Sequence, residues 1–446
     1  MTSVPLDTQG PLAHVLATRS TRAEPETLIA LEHREALIYM LGKAAELEHL
    51  VMSQYLFAAF SLKQDASEGL SDEGLAAVRR WRATLLRIGE QEMLHLALVQ
   101  NLLTAVGAAP RLARPNFPLP PYGYPAGVRI ALVPFGEAAL RHFAFLERPE
   151  GMAMDDAEGF EALERVSPPA VLDDTDEIAP RLRDFDTIGH LYRSIEAGLA
   201  HLSERLGERR LFVGPANAQA TATHFRWDEL VAVVDVESGA RAIETIVEQG
   251  EGARGEWRQA HFGQLVGILD DYMTMRAADP GFEPARPVIA ANVRMPGSGV
   301  PVPVITDPFT VRCMDLLNVV YEVLLQLLSR YFAHTDETDE QLAVLADVSV
   351  GLMYAAIKPL GHLVTRLPIG PDFPGLNAGP AFELFYDVDY LLPHREAAWV
   401  LMEERLRDAA AFATRCGEVC VPAHMGTLER VAAALKGYAD RLVAAS

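Results

Sequence analysis

The chain has 446 residues, half of them hydrophobic, with a formal net charge of -22 and three cysteines. That length accommodates two or three domains, and the acidic balance argues against nucleic acid and anionic membranes as partners, since both select basic surfaces. An odd, small number of cysteines points to a reducing compartment rather than a disulfide framework; with no visible secretory leader and no apolar run read as a membrane span, a cytoplasmic protein is expected.

Residues 1–30 are polar with scattered proline and read as an arm. Helical periodicity then predicts helices over about 31–63, 73–106, 185–207, 238–251 and 255–277. A long connection separates the second from the third. It opens on the proline-rich APRLARPNFPLPPYGYP, holds a short apolar helix near 136–146 and continues through an acidic stretch. Bundles with one long crossover need such a connection. Residues 278–308 read as a linker, and four more apolar helices follow, at about 309–332, 338–366, 393–415 and 422–444. The expected fold is all-α: a four-helix bundle over 31–277 and a C-terminal helical domain over 309–446.

The first helix sets Glu48 and Tyr55 seven residues apart on one apolar stripe, with Ala44, Ala45, Met52 and Ala59. A carboxylate there costs free energy unless a partner takes its charge. The second helix offers that partner. Glu92 and His95, three apart, project from a face otherwise made of Leu85, Ile88, Leu96, Val99 and Leu103. One carboxylate and one imidazole at this spacing is how bundle helices supply ligands to paired-iron sites. On the third helix Glu196 shares a face with Tyr192, Leu199, Ala200 and Ser203, with an ion pair to Arg193 as the alternative. His190 and His201 lie off that face.

The fourth helix has no second E-x-x-H. Its apolar stripe is Ile243, Ile246 and Val247, which places Glu244, Glu248 and Glu251 on the other side. Gly250 and Gly252 flank Glu251 and permit a bend that could redirect it. His261, in line with Trp257, Leu265, Ile268 and Tyr272, is the best imidazole. If Glu251 and His261 both serve, GEGARGE must loop out, because ten helical residues separate them by about 15 Å. Glu248 is the reserve carboxylate. Tyr55 is a candidate catalytic group or a donor to a liganding carboxylate. Cys416, Cys420 and His424 lack a fourth ligand and read as a chance cluster. No phosphate loop or dinucleotide fingerprint is present.

The segments LEHLVMSQYLFAAFSLK, EQEMLHLALVQNLL, RPNFP, TIGHLYRSIE and IVEQGEG followed by HF resemble the ferritin-like family typified by iminophenyl-pyruvate dimer synthases of violacein- and rebeccamycin-type pathways. The likeness spans about residues 30–275. Glu48 with Tyr55, and Glu92 with His95, match the pattern of related bacterioferritins; the fourth-helix E-x-x-H of that pattern is unmatched. The C-terminal half is similar to an extension of stand-alone members. The resemblance implies an oxidoreductase of secondary metabolism acting on an amino-acid-derived imine or aromatic amine. Carboxylates and imidazoles suit two iron ions, or manganese. A ferroxidase or iron-handling protein and a metal-free interaction bundle are the rival readings. The expected partner is a small-molecule substrate, and a homodimer is the candidate assembly.

Overall fold

The computed structural model describes residues 27–119, 129–152, 154–160, 185–252, 257–290, 302–385 and 393–446. Most of the expected arm lies outside them. Among the described residues the regular structure is helical, with only isolated bridges between extended segments.

Two long helices frame the first half. α1 spans Arg34–Ser61 and α2 spans Asp72–Ala105. Each starts where the sequence supplies a cap: His33 accepts from the Ala36 N–H, and Ser71 from that of Gly74, with Asp72 and Glu73 in the first turn of α2 favouring its positive end. α1 and α2 pack along their lengths as a hairpin. α1 is apolar nearly all round because it is enclosed on nearly all sides, with Leu37, Leu41, Leu50, Phe57 and Phe60 no more than 1% exposed.

The other two rods of the bundle are each made of two pieces. α3 (Glu137–Leu146) packs against α6 (His261–Ala278), and α4 (Ile188–Leu206) packs against α5 (Val236–Gly250). α3 and α6 sit beside one end of the hairpin, where Trp81 stacks on Phe135 and meets Tyr272 edge-on. α4 and α5 pack on α1 and α2 respectively. The chain leaves the third rod at the end of α3 and returns beside that point. Arg148 donates to the Asp186 carbonyl at 2.6 Å, and the Glu150 N–H donates to Glu251 at the end of α5, also at 2.6 Å. Both rods are therefore interrupted at one level. The break expected in the fourth helix is present: α5 ends at Gly250, Gly252 takes a left-handed φ of 93° suited to glycine, and α6 starts at His261.

The C-terminal half contains α7 (Pro308–Phe332), α8 (Asp339–Leu352), a π-helical turn Met353–Ile357, α9 (Lys358–Val364), α10 (Arg395–Val419) and α11 (Pro422–Ala445). Asp307 caps α7 ahead of Pro308 at its first turn, and Thr338 with Gln341 forms a capping box on α8. By length and composition the run Asp339–Val364 is apolar enough to cross a bilayer, contrary to the sequence expectation; it packs against α7 and α11. In this half Glu322 is buried on Arg405 at 2.7 Å, whereas Asp347 is on the surface with Arg441. Cys416, Cys420 and His424 belong to no metal-ligand cluster among the described residues.

The described parts of the linker are fastened to both halves. Lys63 donates to the Pro284 carbonyl and the Arg286 N–H to that of Ser61. The buried Arg286 guanidinium bonds both oxygens of Glu68, the Phe60 carbonyl and Thr365. One side chain thus ties α1 to the end of α9.

Candidate metal centre

Five ionisable side chains meet at the level where the rods are interrupted, and all are at least 95% buried: Glu48, Glu92, His95, Glu147 and His261. Their oxygen and nitrogen atoms form two groups, Glu48–Glu92–His95 and Glu92–Glu147–His261, each with its ligand atoms within 4.8 Å of one another. Glu92 belongs to both. Its Oε2 lies 3.1 Å from His95 Nδ1 and its Oε1 2.9 Å from His261 Nδ1. The outer carboxylates stand farther off, Glu48 at 3.4 Å from His95 Nδ1 and Glu147 at 3.7 Å from His261 Nδ1.

The two halves repeat one arrangement. Tyr192 donates its hydroxyl to Glu48, and Tyr55 donates to Glu147. His95 Nε2 lies 3.0 Å from Gln249 Oε1, and His261 Nε2 lies 3.2 Å from Gln91 Oε1. An amide oxygen accepts, so each imidazole carries its proton on Nε2 when neutral and turns the Nδ1 lone pair towards the carboxylates. The rings themselves stack at 5.4 Å.

Without a cation this cluster is electrostatically costly, and its proton affinities record that cost. Burial, reinforced by the charge of Glu92, pushes the Glu48 carboxyl up to about 8. Burial also works against a charged Glu92, but His261 and His95 outweigh it and hold this carboxyl well below its ordinary range. The imidazoles show the converse: burial disfavours their cations, yet Glu92 and its neighbours raise His95 to about 10 and His261 to about 9. Burial and the adjacent carboxylates raise both phenols well above 10, so they remain donors. Protons stand here where cations would.

The residues fit metal ions by a direct test. Glu92 Oε1 and His261 Nδ1 are buried, 2.9 Å apart, and neither makes a well-directed hydrogen bond. Buried polar atoms are normally satisfied. Lone pairs converging on a shared space rather than on each other are what a cation satisfies. Three carboxylates with two imidazoles form a hard to borderline donor set, suited to iron or manganese.

Of the residues singled out in the sequence, Glu48, Tyr55, Glu92, His95 and His261 come together here. Glu196, Glu248 and Glu251 do not. Glu196 lies on α4 one turn beyond Tyr192, away from the interruption; it is half-buried, its carboxyl raised by that burial and by Glu244. Its supposed partner Arg193 pairs instead with Glu150. Glu248 is exposed on α5. Glu251 follows the last residue of α5 and receives the Glu150 N–H, beside Gly189, where any side chain would collide with its carboxylate. His190 bonds the Thr27 carbonyl and His201 bonds Glu32.

Sequence reasoning missed Glu147, Gln91 and Gln249, and assigned Tyr192 no role. Glu147 ends α3, an apolar helix with Leu140 and Phe143 fully buried. Because Glu147 follows the last helical residue, where the chain leaves the rod, the helix-face test that found Glu48 did not reach it.

Comparison with known proteins bears on the family of the chain. A family model described as "Ferritin-like" matches residues 41–270. Dichlorochromopyrrolate synthase of Lentzea aerocolonigenes is 27% identical over 86% of this chain and 39% of its own length. The 2-imino-3-(indol-3-yl)propanoate dimerase of Chromobacterium violaceum is 28% identical over 83% of this chain and 36% of its own. The chain therefore spans less than two-fifths of these relatives. A ferritin-like protein from Caulobacter vibrioides aligns over 72% of this chain and 96% of its own, with 18% identity and a TM-score of 0.43.

Proposed function

The chain belongs to the ferritin-like family, and from that premise we propose that it is a two-metal oxidoreductase acting on a small organic molecule. The observation that carries this reading is the sharing of Glu92 between two ligand groups that have the same composition. Glu48 and His95 would hold one metal, Glu147 and His261 the other, with Glu92 between them. Iron is the preferred ion and manganese the alternative. When bound, such a pair supplies electron transfer to dioxygen or peroxide.

The protein's own contribution is orientation, charge and exclusion of water. Tyr192 and Tyr55 each fix one carboxylate by donating to it, and both keep their protons because burial raises them. Gln249 and Gln91 fix the tautomers of the imidazoles. A crevice with room for little more than one water-sized molecule leads in beside Glu147 and Tyr192, between α4 and α5. In this reading that crevice admits a small oxidant and keeps bulk water out.

For the organic substrate we propose an imine or amine derived from an aromatic amino acid. The support is the pair of relatives, a dichlorochromopyrrolate synthase and a dimerase of an indolyl imino acid. Measuring the metal content of protein purified from iron-supplied cells, beside Glu92→Ala, tests the site. Loss of most bound metal in the variant with unchanged helicity is expected. Equal metal content in the two would refute it.

A further inference from the structure

A second cavity lies away from the metal ligands, between the bundle and the C-terminal half. Its volume is about 380 Å³, and none of Glu48, Glu92, His95, Glu147 or His261 lines it. Helical geometry explains the separation. On α1 the stripe His49, Met52, Leu56 and Phe60 is turned roughly a quarter revolution from Glu48 and Tyr55. On α2, Leu86, Glu90, Met93 and Ala97 occupy roughly the face opposite Glu92 and His95. The far wall is C-terminal: Leu324, Leu325 and Phe332 of α7, with Met353, Tyr354 and Ile357 of the π-helical turn. Single π turns recur at functional sites, because the extra residue costs helix stability.

The lining says what the cavity would take. Most of it is apolar, and Phe60, Phe225, Trp227 and Phe332 give it flat ring surfaces. The volume falls in the range of small-molecule pockets. The buried polar pair in the wall, His49 and Tyr321, has its protons committed: His49 Nδ1–H donates to the Leu112 carbonyl at 2.9 Å, which leaves Nε2 to accept from the Tyr321 hydroxyl. Neither has a proton left for an anion. The charged lining groups, Arg87, Lys358 and Glu90, are instead the solvent-accessible ones, and cations outnumber the carboxylate there. Gln100, also buried in the wall, spends one amide N–H on the Arg111 carbonyl, so the full positive charges that could balance an anion stand at the mouth.

We propose that this cavity is a binding site for a multi-ring aromatic molecule bearing one anionic group, its rings against Trp227 and Phe332 and its anion at Arg87 and Lys358. The site is built jointly by the bundle and by α7 to α9, which gives the C-terminal half a binding role beyond enclosing the bundle. It requires no metal, so its failure and that of the metal assignment are separable.

Two dyes added to the full chain test it: 1-anilinonaphthalene-8-sulfonate, and N-phenyl-1-naphthylamine, the same rings without the sulfonate. One sulfonated dye is expected to bind per chain, with energy transfer from tryptophan that falls in Trp227→Phe. Leu328→Trp, which fills the cavity from its wall, should weaken both dyes about tenfold or more. The double variant Arg87→Ala, Lys358→Ala alters exposed or half-exposed groups and should fold normally; it should weaken the sulfonated dye about fivefold and leave the neutral one within about twofold. Absence of binding, or binding in a folded Leu328→Trp that matches the wild type, overturns the site. Equal effects of the double variant on the two dyes overturn the anion assignment, and if Leu328→Trp does not fold, that pair of dyes still decides.

Discussion

The Tyr55 hydroxyl donates to Glu147, a carboxylate 92 residues further along the chain and on a different rod of the bundle. Tyr192 stands in the same relation to Glu48. Removing either hydroxyl leaves a buried carboxylate oxygen short of a donor, at a cost of about 1–3 kcal/mol. Tyr55→Phe should therefore weaken metal binding about tenfold at the Glu147–His261 half, and Tyr192→Phe at the other. Titration of the metal-free protein with ferrous ion under anaerobic conditions checks this; two unchanged isotherms would count against the pairing.

The glutamines give an independent test. Gln249→Leu and Gln91→Leu remove the acceptors that hold the Nε2 protons of His95 and His261. Each ring is then free to turn its proton towards the carboxylates. Metal affinity should fall about ten- to a hundredfold, while Gln→Glu, which keeps the acceptor, should restore most of it. Leucine variants that bind like the wild type would show that the glutamines position nothing.

How much of this was legible in the sequence depends on rod continuity. Glu92 and His95 lie within one unbroken helix, so a three-residue spacing sufficed to place them together. Glu48 and Tyr55 were found in the same way. Glu147 was not, because the third rod leaves the bundle at residue 147 and resumes at 188, so its two pieces look unrelated in the sequence. Glu196 was the natural carboxylate of the resumed piece, but it stands a turn past the level of the site. On the fourth rod the glycines did signal a break. They did not signal that Glu251 would turn to the Glu150 N–H, leaving Gln249 as the residue that faces His95. Most helix boundaries agreed within a few residues, often where caps and proline mark them; the helix expected from about 255 starts instead at His261, where Ala260 offers no side-chain cap.

That distinction is itself testable. Glu147→Gln should lose about half the bound metal, since it removes a ligand from one group only. Glu251→Gln and Glu196→Gln should retain it. Metal loss in Glu251→Gln with retention in Glu147→Gln would reverse the assignment.

The pH dependence has a definite sign. Glu48, His95 and His261 hold their protons more tightly in the folded protein than in the unfolded chain, at about 8, about 10 and about 9. The metal-free fold therefore binds more protons than the unfolded state between about 5 and 10, and its stability falls as pH rises through that window. Metals displace those protons, so metal affinity should rise over the same range. Thermal melts in chelator at pH 6 and pH 9 should show the lower midpoint at pH 9, with added metal recovering more there. A higher midpoint for the metal-free protein at pH 9 would contradict the cluster's charge balance.

Arg286 links the halves through buried bonds to Glu68, Phe60 and Thr365. Arg286→Ala removes these bonds, but Glu68 keeps the Gln64 N–H and the Phe60 carbonyl keeps Thr365, so the cost should be about 1–3 kcal/mol. Denaturant unfolding reads this as a lowered midpoint; a change within error would mean that the linker is not a fastening.

The central claim is a pair of metals bridged by Glu92, and counting metal per chain tests it most directly. Protein stripped with chelator, reloaded anaerobically with ferrous ion and desalted should carry about two irons per chain. Glu147→Ala should carry about one, and Glu92→Ala close to none, all three with the same helical signal. A wild type that binds no metal, or a Glu92→Ala variant that still binds two, would contradict the account.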